Sequence, residues 1–349
     1  MKKTTIILSA LILLVGSICG QVTTNENGSD SLYNIQERFF SQRKWFDSQL
    51  EQFYSTNVFK PQDLELYGLW DLEPNINRKV GFISLSDNYP LSEHPDSLAI
   101  PDLSDMKEEN MEYFKLSPKY RKRFLSKTKI SETDKVFVYD YSTDVLLSFP
   151  VKDLSLVAYL NIYMSTDQCR PCDQYDYMIG FEIDKSLLKG LSGGLVYVGK
   201  ENPFVQGQMK PIIWKKINLN DFPFSKAYFQ TTDVTSNVYL YESNEFQYFI
   251  QDFVQDVVHI ASNLWARHLL VIDKKNGERV VERMFLSGEY RSIAPLNFEL
   301  DSGYYEQWTG KLFKNKPPVV FGFMYDGCLC FILLDSTARE ICINCDNRH

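Results

Sequence analysis

The longest regular pattern in the chain is an alternation of apolar and other residues on either side of residue 170. In the segments 154–164 and 175–183, every second residue is aliphatic or aromatic. A period of two places alternate side chains on the same face of an extended strand. The sequence therefore predicts two long strands, joined by a loop that carries Cys169-Arg170-Pro171-Cys172.

Strand patterns also dominate the rest of the chain after residue 135. The runs 136–141 and 145–149 predict a hairpin, and Asn276-Gly277 is a typical hairpin turn between two apolar runs. The C-terminus predicts a three-stranded meander over 319–324, 328–334 and 339–343. Further strands are predicted over 66–72, 80–85, 195–199, 211–217, 237–242, 269–272 and 280–285.

Helical spacing is found mainly in the first 130 residues. Apolar residues three, four and seven positions apart predict a helix over 32–57. Shorter helices are predicted over 104–114 and from Ser117 onward, where Ser-Pro is typical of a helix start. The later segment 246–259 is also predicted as helical, because apolar residues recur there every four positions.

The predicted helix from Ser117 onward is the most basic part of the chain after residue 20, where the predicted signal peptide described below ends. Its cations are Lys119, Arg121, Lys122, Arg123, Lys127 and Lys129. In an acidic protein we interpret this stretch as a solvated helix face. The alternative is a docking surface for an acidic partner.

These patterns predict an α+β fold that is mainly β. N-terminal helices would pack on antiparallel sheets, as a sandwich or an irregular propeller-like array. The predicted organisation is a signal peptide over 1–20, a flexible leader over 21–30, a helix-rich part over 31–130 and a β-rich part over 131–349. Aromatic residues make up 14% of the chain, and their concentration in the strands favours one continuous core for the last two parts. A second interpretation of these rings is a platform for a carbohydrate or peptide ligand.

The N-terminus has the order of a secretory signal. Met1-Lys2-Lys3 precedes a short apolar run and then small residues up to Gly20. The run is shorter than the ~20 residues of a spanning helix, so the mature chain is predicted to have no transmembrane segment. We expect export to the periplasm, the cell surface or the medium. Cys19 offers a lipid anchor as an alternative, which ranks lower because Ile18, before it, is not small.

Charge and motifs limit the function classes. The net charge of −8 disfavours nucleic-acid binding. The four histidines are scattered, and no HExxH, GxSxG, P-loop or GxGxxG arrangement is present. No cofactor or metal is therefore predicted. Acidic residues are plentiful but scattered, so a hydrolase with a carboxylate pair stays a distant alternative.

Cysteine usage points to an oxidising compartment. The seven cysteines are Cys19, Cys169, Cys172, Cys328, Cys330, Cys342 and Cys345. Without Cys19, which leaves with the signal or carries lipid, six remain. An even number in an exported chain indicates disulfides.

Strand geometry narrows the pairing of the four C-terminal cysteines. Cys328 and Cys330 lie two apart on one predicted strand, so their β-carbons are roughly 6–7 Å apart, whereas a disulfide requires about 3.8 Å. The returning strand carries the other two. We predict Cys330–Cys342 and Cys328–Cys345, with a bulge or a departing tail. The alternatives are that one pair forms while the others stay reduced, or that these cysteines, with the terminal His349, bind zinc.

The region from Val136 to Cys172 holds a hairpin, then the run 151–154, a hydrophobic strand and the Cys-Arg-Pro-Cys motif. This order resembles the exported, membrane-tethered thioredoxin-like thiol-disulfide oxidoreductases. The resemblance implies that Cys169 is the attacking thiol and Cys172 the resolving thiol. It also implies a helix directly after the motif, where the alternation over 175–183 predicts a strand. The structural interpretation is a local disulfide, or two thiols, at the tip of a hairpin.

Two functional hypotheses follow. The leading one is an exported cell-envelope or secreted binding protein of unknown ligand, rather than an enzyme. The alternative is a thioredoxin-related redox protein that uses Cys169 and Cys172.

Overall fold

The computed structural model describes residues 64–75, 78–161, 172–223, 234–255, 264–288, 291–297, 305–325, 328–337 and 339–346. The chain divides into two units, Met1–Gln62 and Asp63–His349, and the described residues belong to the second. The predicted signal peptide, the leader and the helix over 32–57 lie outside the described residues. Those assignments, and the division at residue 130, stay predictions.

The described part of the chain is mainly β. It contains one α-helix, α1, at Pro118–Thr128, and six single-turn 3₁₀ helices at Ser86–Asn88, Pro95–Ser97, Glu108–Asn110, Val151–Asp153, Lys185–Leu188 and Leu219–Asp221. Its strands, β1 to β21 in chain order, are Leu66–Gly68, Trp70–Asn75, Arg78–Ser84, Tyr113–Lys115, Lys135–Asp140, Val145–Pro150, Ser155–Leu160, Tyr177–Asp184, Leu195–Gly199, Met209–Pro211, Lys215–Ile217, Val234–Glu242, Phe246–Gln255, Leu264–Asp273, Arg279–Leu286, Ser292–Ile293, Trp308–Gly310, Val319–Phe321, Met324–Tyr325, Cys330–Leu333 and Glu340–Asn344.

Four sheets organise these strands. The first has nine strands in the order β10-β17-β18-β20-β21-β1-β9-β5-β6, and the second has five in the order β2-β3-β8-β7-β4. The third is the meander β11 to β15, and β16 pairs with β19 in a small fourth sheet. Neighbouring strands are antiparallel, apart from the parallel pair β1 and β21.

The nine-stranded sheet lies at the centre of the packing. Val136 and Val138 of β5 belong to a core shared with the second sheet and α1, while Phe137 points into a core on the opposite face. Near the other end of the sheet, Val320 and Ile332 pack with the third sheet. This arrangement follows from the period of two, which gives each strand of the central sheet one side chain for each face.

Aromatic rings fill the core on the second face of this sheet. Tyr139, Phe204, Phe313, Phe331 and Phe321 form a chain in which neighbouring ring centroids are 4.7–6.0 Å apart. All five are almost completely buried. These rings therefore act as core residues, and edge-to-face contact adds to the burial of their apolar area.

The predicted hairpin around residue 170 is present. β7 and β8 pair antiparallel, with Leu156 opposite Phe181 and Leu160 opposite Tyr177. Both strands lie inside the second sheet, where one face packs on the shared core and Phe82, Val157 and Met178 form an apolar cluster on the other. The hairpins β5–β6 and β14–β15 and the adjacent C-terminal strands β18, β20 and β21 also agree with the sequence patterns.

The predicted packing of N-terminal helices on sheets is wrong for the residues that the structure describes. Residues 104–114 contain one 3₁₀ turn and the beginning of β4, and α1 is the one α-helix among the described ranges. α1 itself follows the prediction: Ser117 occupies the N-cap position, Pro118 begins the helix, and Phe124 and Leu125 are buried. The described part of the chain is therefore mainly β, with one α-helix against the shared core.

Two further predictions are wrong because pairing with neighbouring strands, which lie elsewhere in the sequence, determines the conformation of the segment. The segment predicted as a helix over 246–259 contains β13, which lies between β12 and β14. A spacing of four residues also fits one face of a strand, so Phe249 and Phe253 gave an ambiguous signal. The predicted strand over 211–217 is divided between β10 and β11, which belong to different sheets. Between them, buried Trp214 exchanges backbone hydrogen bonds with the Asn297 side chain, at 2.6 and 2.9 Å.

Candidate functional site

The Cys-Arg-Pro-Cys motif is only partly within the described residues. Cys169 lies outside them, as does Cys19, whereas Cys172 is half-buried, disulfide-bonded and packed against the shared core. The chain then makes a turn in which Asp173 and Asp176 accept backbone hydrogen bonds, and β8 begins at Tyr177. A turn and a strand thus stand where the thioredoxin-like arrangement has a helix, and a helix N-terminus is the usual activator of the first thiol.

The four C-terminal cysteines form two disulfides with the predicted connectivity. Cys330 and Cys342 lie directly opposite each other on β20 and β21, with Cα atoms 4.0 Å apart. Cys345 follows the last residue of β21 and bonds to Cys328, with Cα atoms 5.6 Å apart. The first pair matches the strand register, and the second forms where the tail departs from it. Because Ile343 of β21 also pairs with Leu66 of β1, both bonds fasten the C-terminal strand at the middle of the central sheet.

The zinc alternative for these residues requires thiolates. Cys330, Glu340 and Cys342 do offer three ligand atoms within 4.8 Å of one another. Both sulfurs, however, are joined in a disulfide, and zinc binds the deprotonated free thiol. His349, the other ligand considered, lies outside the described residues.

The described histidines have structural positions. The Nδ1 atom of exposed His94 accepts a hydrogen bond from the Asp96 backbone N–H, at 3.3 Å. His268 is buried on β14, with Nε2 at 3.1 Å from a carboxylate oxygen of Glu282. Burial lowers the pKa of His268 from its ordinary value, although the Glu282 carboxylate acts in the opposite direction. His268 therefore favours the neutral form in the folded protein. His259 lies outside the described residues.

One buried carboxylate, Glu182 on β8, was not singled out by any sequence signal. Arg78 of β3 and Tyr113 of β4 both donate hydrogen bonds to it, and the ammonium group of Lys115 lies 3.7 Å away. Burial and the hydrogen bond to this carboxylate raise the pKa of Tyr113. Glu182 is thus a satisfied anion that joins three strands of the second sheet, and Tyr113 stays protonated as its donor.

A basic groove runs along α1. Its volume is about 390 Å³, and its lining includes the four cations Lys119, Lys122, Arg123 and Lys127. Asp96 and the exposed Leu98 line it as well. The volume lies within the usual range for small-molecule sites.

Arg123 is the unusual member of this groove. Among the residues that the structure describes, none offers a hydrogen-bond acceptor to its three guanidinium nitrogens, which are nevertheless buried. The guanidinium carbon lies 5.8 Å from the centroid of the buried Tyr89 ring, a cation–π distance. The ring face stabilises the charge but supplies no oxygen acceptor. The sequence predicted the basic stretch, but the burial of this one guanidinium depends on tertiary contacts.

Similarity gives no further guide to the site: no family model, no curated protein and no solved structure matches the chain. Among the described residues, no helix has the length and apolar character of a membrane span.

Proposed function

We propose that the protein is an exported binding protein of the cell envelope or the extracellular medium. Two observations support export. The N-terminus has the charge and hydropathy order of a secretory signal. The disulfides Cys328–Cys345 and Cys330–Cys342 are of a kind that persists in oxidising compartments.

The observation that carries the binding function is the groove along α1. It combines an open, basic lining with the buried guanidinium of Arg123. Buried charged groups are normally paired, because leaving water without a partner is costly. A ligand that enters the groove would supply the partner that the described residues do not offer to Arg123. The other buried ionic groups described above, Glu182 and His268, already have partners within the protein.

Export is tested by expressing the full chain in a bacterial host beside a version that begins at Gln21. We expect the full chain to lose its leader, to leave the cytoplasm and to carry oxidised cysteines, measured by intact mass after alkylation without reductant. The shorter version should stay in the cytoplasm and be alkylated at Cys328 and Cys342. A full chain that keeps Met1 and stays inside the cell contradicts export. A lipid mass that disappears in Cys19→Ser would identify the lipid-anchored alternative.

The redox function of Cys169 and Cys172 is the alternative proposal, supported by the Cys-x-x-Cys spacing of the motif. The disulfide state of Cys172 is compatible with this function and with a structural disulfide alike. Its test is the rate of alkylation of the two thiols after mild reduction, with Cys330 and Cys342 as internal reference. A redox enzyme requires Cys169 to react much faster than the reference cysteines near neutral pH. Equal alkylation rates, or a disulfide that resists mild reduction, would indicate that Cys169 and Cys172 have a structural role.

A further inference from the structure

We infer that the groove along α1 is an oxyanion site that takes a phosphate or sulfate group, with Arg123 as the residue that determines specificity. This inference rests on the proposed function, since it names the ligand class of the same surface. Lys119, Lys122 and Lys127 would attract the anion, and the guanidinium of Arg123 would bind two of its oxygens.

The contrast between two arginines of α1 carries the argument. Arg121 has every partner that a structural arginine needs: its Nε and Nη2 donate to Glu132 at 2.8 and 2.6 Å, and Nη1 donates to the Leu154 carbonyl at 2.7 Å. Arg123, two residues along the same helix, has no acceptor within the described residues. The Arg121 side chain is 17% exposed, and the guanidinium nitrogens of Arg123 are buried, so the more buried of the two groups is the one without an acceptor.

The missing acceptor defines what the ligand must provide. A guanidinium group presents five N–H donors in a rigid planar fork and accepts nothing. Its best partners are two oxygens of one anionic group, as in phosphate or carboxylate. Arg123 lines the groove, while its guanidinium nitrogens are buried beside it. An anion in the groove would therefore reach these donors once the Arg123 side chain turns toward it.

The surrounding charges favour an anion with more than one negative charge. Four cations line the groove, against the single carboxylate of Asp96. This positive field is local, because the chain as a whole has a net charge of −8. A doubly charged tetrahedral group gains more from the ammonium groups of three exposed lysines than a single carboxylate does, since the attraction scales with the product of the charges.

Binding is measured by isothermal titration of the oxidised mature chain with inorganic phosphate, sulfate and acetate at low and high salt. We expect phosphate and sulfate to bind, acetate to bind more weakly, and all affinities to fall with salt. Arg123→Gln should weaken phosphate binding about tenfold or more, the usual effect of losing charge-assisted hydrogen bonds. Arg123→Lys, which keeps the charge and loses the fork, should recover only part of the affinity.

The matched control is Lys129→Gln, which removes one charge from the same basic stretch at a residue just beyond the end of α1. It should leave phosphate affinity within about twofold of the unchanged protein. Thermal melts of each variant separate loss of binding from loss of folding. Equal losses in Lys129→Gln and Arg123→Gln would show general charge attraction and overturn the role of Arg123.

The source of the oxyanion is distinguished with two further probes. Co-sedimentation with vesicles of phosphatidic acid in phosphatidylcholine, competed by free phosphate, indicates a lipid headgroup, while binding of glucose 6-phosphate alone indicates a soluble ester. Polygalacturonate, a polymer of carboxylates, distinguishes two claims: that the groove binds a ligand, and that this ligand is a phosphate or sulfate. If it binds in an Arg123-dependent manner and phosphate and sulfate do not, the oxyanion inference fails and the binding function stands. If none of these probes binds, both fail at this groove.

Discussion

The guanidinium of Arg267 binds both carboxylate oxygens of Asp252 across the neighbouring strands β14 and β13. Its Nε and Nη2 atoms lie 2.7 and 2.9 Å from the two oxygens, and Nη1 donates to the Ala294 carbonyl at 2.5 Å. The Arg267 side chain is 1% exposed and that of Asp252 is 8% exposed. This buried ion pair therefore connects the middle of the third sheet to the segment that follows β16.

Replacing Arg267 with methionine should be strongly destabilising. The substitution leaves the Asp252 carboxylate buried without its cation, and the free energy of unfolding should fall by about 3–5 kcal/mol. Urea unfolding of the single variant measures this loss. The double variant Arg267→Met with Asp252→Leu should recover much of it, because two apolar side chains remove the buried charge altogether. Equal stability of the single and double variants would show that the ion pair is not the cause.

Acidification should destabilise the fold through His268. Burial lowers the pKa of His268 in the folded protein below the ordinary value of 6.5, so the unfolded chain binds a proton first as the pH falls. The contribution of this histidine is fully present above the unfolded pKa. It is lost as the pH falls through 6.5 toward the folded pKa, and it changes no further below that value.

The measurement compares unfolding free energies of the protein and of His268→Gln between neutral and mildly acidic pH. The variant should show a shallower loss, since its side chain cannot bind the proton. An NMR titration of the His268 ring should give a midpoint below 6.5. A midpoint above this value, or equal slopes for the two proteins, would contradict the prediction.

Each C-terminal disulfide should stabilise the fold by lowering the conformational entropy of the unfolded chain. The bonds Cys330–Cys342 and Cys328–Cys345 span 12 and 17 residues, for which loop closure predicts about 3 kcal/mol each at 25 °C. Thermal melts of Cys330→Ala with Cys342→Ala, and of the corresponding pair of changes at Cys328 and Cys345, measure the effect. The longer loop should give a slightly larger loss. No change in melting temperature for either variant would mean that the unfolded chain is already restricted there.

Gly180 of β8 should tolerate no side chain. A Cβ atom at this position would lie 1.8 Å from the backbone carbonyl oxygen of Ile83 on β3, a contact that only backbone movement relieves. Gly180→Ala should therefore cost about 3 kcal/mol or more, at the upper end of overpacking effects. The control is Gly193→Ala, where the added atom meets nothing within 4 Å. Denaturant midpoints of the two variants should differ clearly, and similar midpoints would contradict the close approach of β3 and β8.

Local patterns predicted the elements whose partners are near in sequence. The hairpin of β7 and β8 and the pairing of Cys330 with Cys342 each follow from alternation or register. These signals suffice because a strand buried on both faces, or a short turn between two strands, restricts its own residues. Predictions failed where two conformations share one pattern, as in β13.

What the sequence determined by itself is a chain of alternating strands with paired cysteines, because the period of side chains and the reach of a disulfide are local properties. Only the tertiary structure decided which charged side chains have a hydrogen-bond or ion-pair partner. Arg121 and Arg123 belong to the same basic stretch of the sequence, yet Arg121 binds Glu132, whereas Arg123 has buried guanidinium nitrogens without an acceptor among the described residues. Burial and charge compensation arise from residues that are distant along the chain and adjacent in space, so no local pattern records them.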